Sequence, residues 1–209
     1  MKNILGNLNF GFTKWCVALI AVGWMGAEAL ADNVYWNFQT DAPTSGVPSG
    51  LTVSAVSQGN NNGTTTLLTA SSVSSTYTGF SAANNAGAAA RTGVLSTALS
   101  GSAYFEFTIT PNSGFSFSIT SISFGSRETS TGPKAYSLRS SADSYASDLA
   151  TGTLSATSAW ALKSNAGLSI SRAVATTYRI YGYNGAGGAS AKTAIYPLCL
   201  LMTQGSSPW

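Results

Sequence analysis

The sequence predicts an all-β, jelly-roll-like antiparallel β-sandwich that follows an N-terminal signal helix. Three observations carry that prediction. Apolar and polar residues alternate with period two along most of the chain, Gly, Asn, Ser and Pro interrupt the alternation at short intervals, and no stretch beyond the N-terminal segment keeps a helical period of 3.6. Short strands separated by polar turns, without intervening helices, bury their apolar faces by packing as two antiparallel sheets. A β-solenoid is the rival architecture, but it needs a repeat of fixed period, and only loose Ser/Thr-Gly similarity recurs here.

The N-terminal segment sets the compartment. Lys2 and Lys14 precede the apolar run WCVALIAVGWMGA, and Ala29-Leu30-Ala31 then supplies the small-x-small pattern of a signal-peptidase site. Residues 1–31 read as a signal peptide cleaved after Ala31, so the protein is expected to be secreted or held at the cell surface. A membrane anchor is the alternative reading. The run is shorter than the roughly 20 residues a spanning helix needs, and no stable membrane span is expected in the mature chain. Cleavage removes Cys16, which lacks the small-residue context of a lipoprotein site, and leaves Cys199 alone, so an intramolecular disulfide is not expected.

Residues 32–190 read as the sandwich domain. VYWNF, LTVSAVS and TTTLL are its first strand candidates. In SAYFEFTIT, Ala103, Phe105, Phe107 and Ile109 fall on one face and Tyr104, Glu106, Thr108 and Thr110 on the other, the pattern of a half-buried strand. After the turn PNSG, the run FSFSITSISF puts Phe115, Phe117 and Ile119 on one side and then changes phase. Ile122 and Phe124 stay inward if a bulge or bend intervenes near Thr120-Ser121. YSLRS, LSIS and TTYRIYGY are further strands. NNAGAAARTG reads either as a turn of helix, on alanine propensity, or as a loop.

Composition closes most functional classes. A chain of 209 residues suits one sizeable core. Charged residues make up 8%, against roughly 25% in an average soluble protein, so hydroxyls and amides must supply the solubility. A net charge of +3 spread over this length makes no basic face, and nucleic acid is not an expected partner. The chain has no histidine, which removes the usual general base, the histidine-dependent nucleophile systems and the commonest zinc ligand. No Gly-rich loop ending in Lys-Ser/Thr is present to cradle phosphate, and no cofactor is implied.

Carboxylates remain, because glycosidases need only two. The acids beyond residue 31 are Asp32, Asp41, Glu106, Glu128, Asp143 and Asp148. Glu106 stands on the polar face of its strand, where it reads either as a catalytic acid or as a solvated charge that keeps a sheet edge from associating. Asp143 and Asp148 lie in Ser-rich turns and can be imagined around a calcium ion, although the alternating acid spacing of a calcium loop is absent. Arg139 ends YSLRS and Asp143 follows across a short polar loop, which suits a local ion pair or an Asx-type turn. Arg127 and Lys134, which flank the ETSTGP loop, read as solvated turn charges rather than an anion site.

Aromatic residues give the functional expectation. Alternation in TTYRIYGY puts Tyr178 and Ile180 on one face and Arg179, Tyr181 and Tyr183 on the other. With the first face in the core, two tyrosines and an arginine line the outside. Flat rings beside polar groups suit sugars, whose C–H faces stack while their hydroxyls bond neighbouring groups. Trp160, in ATSAWALKS, is a candidate to join Arg179, Tyr181 and Tyr183 in carbohydrate contact. The competing reading is that these rings only cover a sheet.

The stretch from YFEFTITPNSGFSFSITSISFGSRETSTGPKAYSLRSSADSYASDLATGTL to ATTYRIYGYNG, together with NVYWNFQTDAPTSGVPSGLTVSAVSQGNNNGTTTLL, resembles an all-β module of exported bacterial proteins. Many proteins with this module carry a PEP-CTERM sorting segment, and others are parts of autotransporter-like surface proteins. The resemblance implies a jelly-roll sandwich in a bacterial surface or secreted protein, and it brings no catalytic residues. The expected occupation is non-catalytic contact with extracellular glycans, matrix or other surface proteins. A carboxylate-dependent glycan-processing enzyme and a purely structural spacer are the alternatives. Residues 191–209, with ASAKTAIYPLCLLMTQGSSPW at the end, depart from the module: the expected final strand is not recognisable, no basic tail follows, and the segment reads as an atypical tail, altered or frame-shifted.

Overall fold

A computed structural model describes residues 31–69, 84–90, 93–155, 159–186 and 192–206. Residues 1–30, which hold nearly all of the expected signal peptide, lie outside the described residues, and Ala31 is the first residue of the first strand. The strands are β1 (Ala31–Trp36), β2 (Leu51–Val53), β3 (Ser57–Gly59), β4 (Leu68–Thr69), β5 (Asn85–Ala89), β6 (Tyr104–Pro111), β7 (Phe115–Glu128), β8 (Ala135–Ser140), β9 (Ala150–Thr153), β10 (Ala161–Arg172), β11 (Thr176–Tyr183) and β12 (Lys192–Ser206). The helical element among the described residues is a 3-10 turn, Ser141–Asp143, and no helix there is long and apolar enough to cross a membrane.

The strands form two antiparallel six-stranded sheets, as the alternation predicts. Sheet A runs β10-β7-β12-β5-β4, with β1 also on β12, and sheet B runs β2-β6-β11-β8-β9, with β3 also on β6. From β6 onward most connections cross from one sheet to the other, so each sheet is assembled from residues far apart in sequence.

Period-two burial builds the interior. Phe105, Phe107 and Ile109 of β6 face Phe117, Ile119, Ile122 and Phe124 of β7 across the core. Three ring pairs link the sheets. Trp36 of β1 lies 5.2 Å from Phe107, Phe117 meets Tyr178 at 6.4 Å, and Phe124 meets Tyr136 at 5.0 Å. Such pairs contribute about 1 kcal/mol each beyond their burial. At one edge the Tyr136 hydroxyl donates to Asn165 Oδ1 of β10 at 2.5 Å, and Asn165 Nδ2 donates to the Thr151 carbonyl of β9 at 3.2 Å. Gly152, opposite Tyr136, makes room for that ring: a Cβ there would stand 2.5 Å from Tyr136 Cε1.

The phase change in FSFSITSISF is a bulge, as the pattern requires. Leu201 pairs with Ser121 and Met202 with Ile119, which leaves Thr120 as the extra residue on β7. Both apolar sets, Phe117 and Ile119 before it and Ile122 and Phe124 after it, therefore point inward.

Several elements differ from the sequence reading. Within NNAGAAARTG, Asn85–Ala89 is neither a helical turn nor a loop but β5, buried along its whole length between β4 and β12. Alanine's helix propensity is a weak preference that pairing on both sides overrides, and its small side chain suits a strand covered on both faces. Arg127 is not a turn charge, because β7 continues to Glu128 and pairs Arg127 with Ala194. LSIS is only the end of a longer β10. The largest difference is at residues 191–209, where no strand was recognisable in the sequence. Lys192–Ser206 forms β12, which pairs with β7 along nearly its whole length and with β5 and then β1 on its other side. The pattern is hidden because Pro197 interrupts the alternation where the register with β7 shifts between Ile195 and Leu198, and a proline can sit at such an irregularity because it has no ladder N–H to offer.

Leu198, Leu200 and Met202 of β12 are fully buried. At about 1.5–3 kcal/mol for each such side chain, their removal costs about 4.5–9 kcal/mol, comparable to the lower part of the roughly 5–15 kcal/mol that stabilises a typical domain. A chain ending at residue 191 is expected to lose the cooperative thermal transition of the full protein, followed by near-ultraviolet circular dichroism. A sigmoidal melt of the truncated chain close to that of the full protein contradicts the central place of β12.

Candidate functional site

The outer face of sheet B gathers charge in a chain that has little of it. The register of β6, β11 and β8 places Glu106 opposite Arg179 and Arg179 opposite Arg139. Alternation sends Phe105, Phe107, Tyr178, Ile180 and Leu138 into the core, so the three charged residues share the outer surface. Directly opposed arginines repel, and each is compensated on its far side. Arg179 Nε donates to Glu106 Oε2 at 2.5 Å. Arg139 Nε and Nη2 both lie 2.7 Å from Asp148 Oδ1. Across the sheet the row reads acid, base, base, acid.

Tyrosine rings enclose Arg179. Its guanidinium carbon lies 4.2 Å from the Tyr104 ring centroid and 4.0 Å from that of Tyr145, a cation–π contact on each side. Arg179 Nη1 donates to the Tyr181 hydroxyl at 3.3 Å, and Tyr181 meets Tyr104 edge-on at 5.2 Å. Gly59 of β3, opposite Tyr104, is what lets that ring lie across the strand: a Cβ there would stand 2.0 Å from Tyr104 Cζ. Burial raises the Tyr104 and Tyr145 hydroxyls above the usual phenol range although the Arg179 charge pulls them down, so both rings stay neutral at physiological pH. Arg179 is itself partly buried, which disfavours its charge, but hydrogen bonds and charge from Tyr181 and Glu106 outweigh this and raise its pKa.

Tyr145 reaches this stack through a strained loop. After the 3-10 turn, Ser144 and Tyr145 are both left-handed, with φ of 58° and 61°, a conformation that costs about 1–2 kcal/mol for each residue with a Cβ. The surrounding bonds offset that cost. Arg139 Nη1 donates to the carbonyls of Tyr145 and Ala146 at 2.9 and 3.0 Å. Asp143 accepts from the N–H groups of Ala146 and Ser147 at 3.2 and 2.9 Å, and the Tyr145 N–H donates to the Ser140 carbonyl at 2.8 Å. Arg139 thus holds the backbone of Tyr145 while Arg179 holds its ring.

The candidates of the sequence reading fall into different places. Arg139 pairs with Asp148 rather than Asp143, because the loop curls back and brings Asp148 beside β8, and Asp143 makes the Asx-type turn instead. Arg179 stands at the centre of the outer face, 21% exposed, as Glu106 is 26% exposed. Tyr183 follows on the same face at the end of β11, half-buried. Tyr181 is not an external ring: it is fully buried under Tyr104 and Arg179, and it positions them. Trp160 is not part of this group, since it precedes β10 of sheet A and packs against the core. Tyr104 and Tyr145 were not singled out in the sequence. The alternation of YFEFTIT already places Tyr104 on the outer face, whereas nothing in SSADSYASD signals the loop geometry that carries Tyr145.

A two-carboxylate mechanism finds no support in this arrangement. Arg179 of β11 and Arg139 of β8 stand between Glu106 of β6 and Asp148, each guanidinium bonded to one of the two carboxylates. Partial burial pushes the Asp148 carboxyl up, but bonds from Ser137 and Arg139 and the Arg139 charge together hold it below the usual carboxylate range. Asp143 is likewise lowered, a small desolvation being outweighed by its bonds from Ser147 and Ala146. A general acid needs the opposite shift. Among the described residues no three His, Cys, Asp or Glu side chains gather to hold a metal ion. The cavity between the sheets lined by Phe105, Phe124, Tyr136, Leu154 and Ile180 is apolar and about the size of a water molecule, too small for a sugar ring.

No protein family matches this chain. No curated protein matches it either. Among solved structures, it is similar to the enzymatically active domain of tailspike protein 4 from bacteriophage CBA120, at 15% identity and a TM-score of 0.38, over 76% of this chain and 19% of that one. It thus spans about a fifth of that tailspike chain. It is also similar to the K2 cleaved adhesin domain of Lys-gingipain, at 14% identity and a TM-score of 0.41, over 80% of this chain and 97% of that one. A third likeness is to the family 11 carbohydrate-binding module of Clostridium thermocellum in complex with a β-1,3-1,4-mixed-linked tetrasaccharide, at 11% identity and a TM-score of 0.38, over 86% of this chain and 99% of that one.

The Asp148 carboxyl titrates lower in the folded chain than the value near 4 of an unfolded one. Its pairing therefore contributes stability above about pH 4 and loses it as the pH falls through the folded value. Asp148→Asn is expected to cost about 1 kcal/mol at pH 7, less than a buried bond to a charged group, since the carboxylate is 42% exposed. In thermal melts this is a drop of about 2–4 °C, and the gap to the wild type should narrow as the pH is taken below 4. An unchanged gap across that range contradicts the role given to the pair.

Proposed function

We propose that this chain is a non-catalytic, exported β-sandwich module, secreted or held at a bacterial cell surface, that contacts glycans through the outer face of sheet B. The observation that carries the proposal is the stack of Tyr104, Arg179 and Tyr145, locked by Glu106 and Tyr181. Stacked rings with fixed polar neighbours offer a sugar a flat surface for its C–H face and hydrogen-bond partners at the rim. Rigid, pre-set side chains lose little entropy when a ligand docks, and every member of this stack is held by at least one other.

Tyr145 is the ring that a ligand meets first. Its inner face lies on Arg179, it is half-buried, and its loop is fixed by Arg139 rather than by the ring itself. Tyr183 extends the same face along β11. The compartment in this proposal rests on the N-terminal segment and on the resemblance to exported bacterial modules.

A glycan-array screen of the purified protein tests the reading. Binding is expected, and Tyr145→Ala is expected to weaken it at least about tenfold, a typical loss for one stacking ring, while circular dichroism and melting temperature stay near those of the parent. The reading fails if no glycan binds, or if Tyr145→Ala and Tyr183→Ala, both folded, bind as the parent does.

A further inference from the structure

We infer, resting on the glycan-contact reading, that the outer face of sheet B takes neutral, hydroxyl-rich sugars and discriminates against those bearing carboxylates, such as uronates and sialates. The protein's own contacts already use most of the polar atoms of the two arginines on this face. Arg139 spends Nε on Asp148 and Ser137, Nη2 on Asp148, and Nη1 on two loop carbonyls. Arg179 spends Nε on Glu106 and Nη1 on Tyr181, and both faces of its guanidinium are covered by rings. The two guanidinium groups therefore point at protein partners.

The acids are only half used. Glu106 engages Arg179 through Oε2, and Asp148 engages Ser137 and Arg139 through Oδ1. Among the described residues Glu106 Oε1 and Asp148 Oδ2 accept no hydrogen bond. They are charged acceptors at the rim of a ring stack, and their natural partners are hydroxyl donors. A ligand carboxylate brought to the same place meets two like charges and no uncommitted guanidinium face. Arg179 Nη2 remains as a donor, but Glu106 in contact with the same guanidinium offsets its charge, which suits a hydroxyl oxygen rather than an anion. The four groups Glu106, Arg179, Arg139 and Asp148 sum to zero charge, so binding should depend little on salt.

The test is titration calorimetry of the purified protein with cellohexaose, galactohexaose and mannohexaose against hexagalacturonate and sialyllactose, each at low and at high salt. At least one neutral oligosaccharide is expected to bind about tenfold or more tighter than either acidic one, with an affinity that salt leaves unchanged. Glu106→Gln, checked for folding by circular dichroism, is expected to raise uronate affinity by about tenfold because it leaves Arg179 uncompensated. Tighter binding of the acidic sugars to the parent protein, or neutral binding that falls steeply with salt, overturns this inference and leaves glycan contact standing. Absence of binding by every sugar overturns both.

Discussion

Sheet A is held together by its last strand. β12 lies between β7 on one side and β5 and β1 on the other, so the beginning of the described chain and its end meet as hydrogen-bonded neighbours, with Asp32 opposite Met202 and Trp36 opposite Leu198. The bulge at Thr120, the inward turn of Phe117 to Phe124 and the ring contacts to sheet B all presuppose that pairing. Strands joined across such sequence distances must wait for the whole chain before they close.

The sandwich divides its two outer surfaces by chemistry. On sheet A, Ser118 of β7 stands between Ser171 of β10 and Thr203 of β12, a row of small hydroxyls without charge. On sheet B the corresponding surface carries Glu106, Arg179, Arg139 and Asp148 with the rings around them. Opposed arginines, two consecutive left-handed residues and a fully buried outer tyrosine are each unfavourable alone. They persist because every one is answered by a specific partner: Glu106 and Asp148 for the charges, Arg139 and Asp143 for the loop, Arg179 for Tyr181. Strain that is over-determined by its surroundings is characteristic of sites that present side chains to a ligand.

Much of the fold was legible because it rests on period two. The inward faces of β6, β7 and β11 and the bulge between Ile119 and Ile122 follow from alternation alone. What escaped has physical causes. β5 is an asparagine followed by alanines and a glycine, whose local preferences say little about strands, and it exists through pairing with β4 and β12. β12 breaks its own pattern at Pro197. In the site, Arg179 and Tyr183 could be placed on the outer face from TTYRIYGY, but the fate of Tyr181 depends on Tyr104, a neighbour on another strand. Trp160 read as an exposed ring because its segment is polar, yet a single large apolar side chain finds the core whatever its neighbours are. Arg139 found Asp148 instead of Asp143 because a loop with two left-handed residues reverses direction, a property that Ser-Tyr does not announce.

The claim on which the functional account stands is that ligand contact belongs to sheet B and centres on the stacked Arg179. Backbone amide chemical shifts of the isotope-labelled protein, followed through a titration with the tightest-binding oligosaccharide, test it most directly. The account predicts perturbations at Tyr104, Tyr145, Ala146, Arg179 and Tyr183, with Ser118, Ser171 and Thr203 of sheet A unmoved. Perturbations centred on that sheet A hydroxyl row, with the Tyr145 loop unmoved, would contradict it.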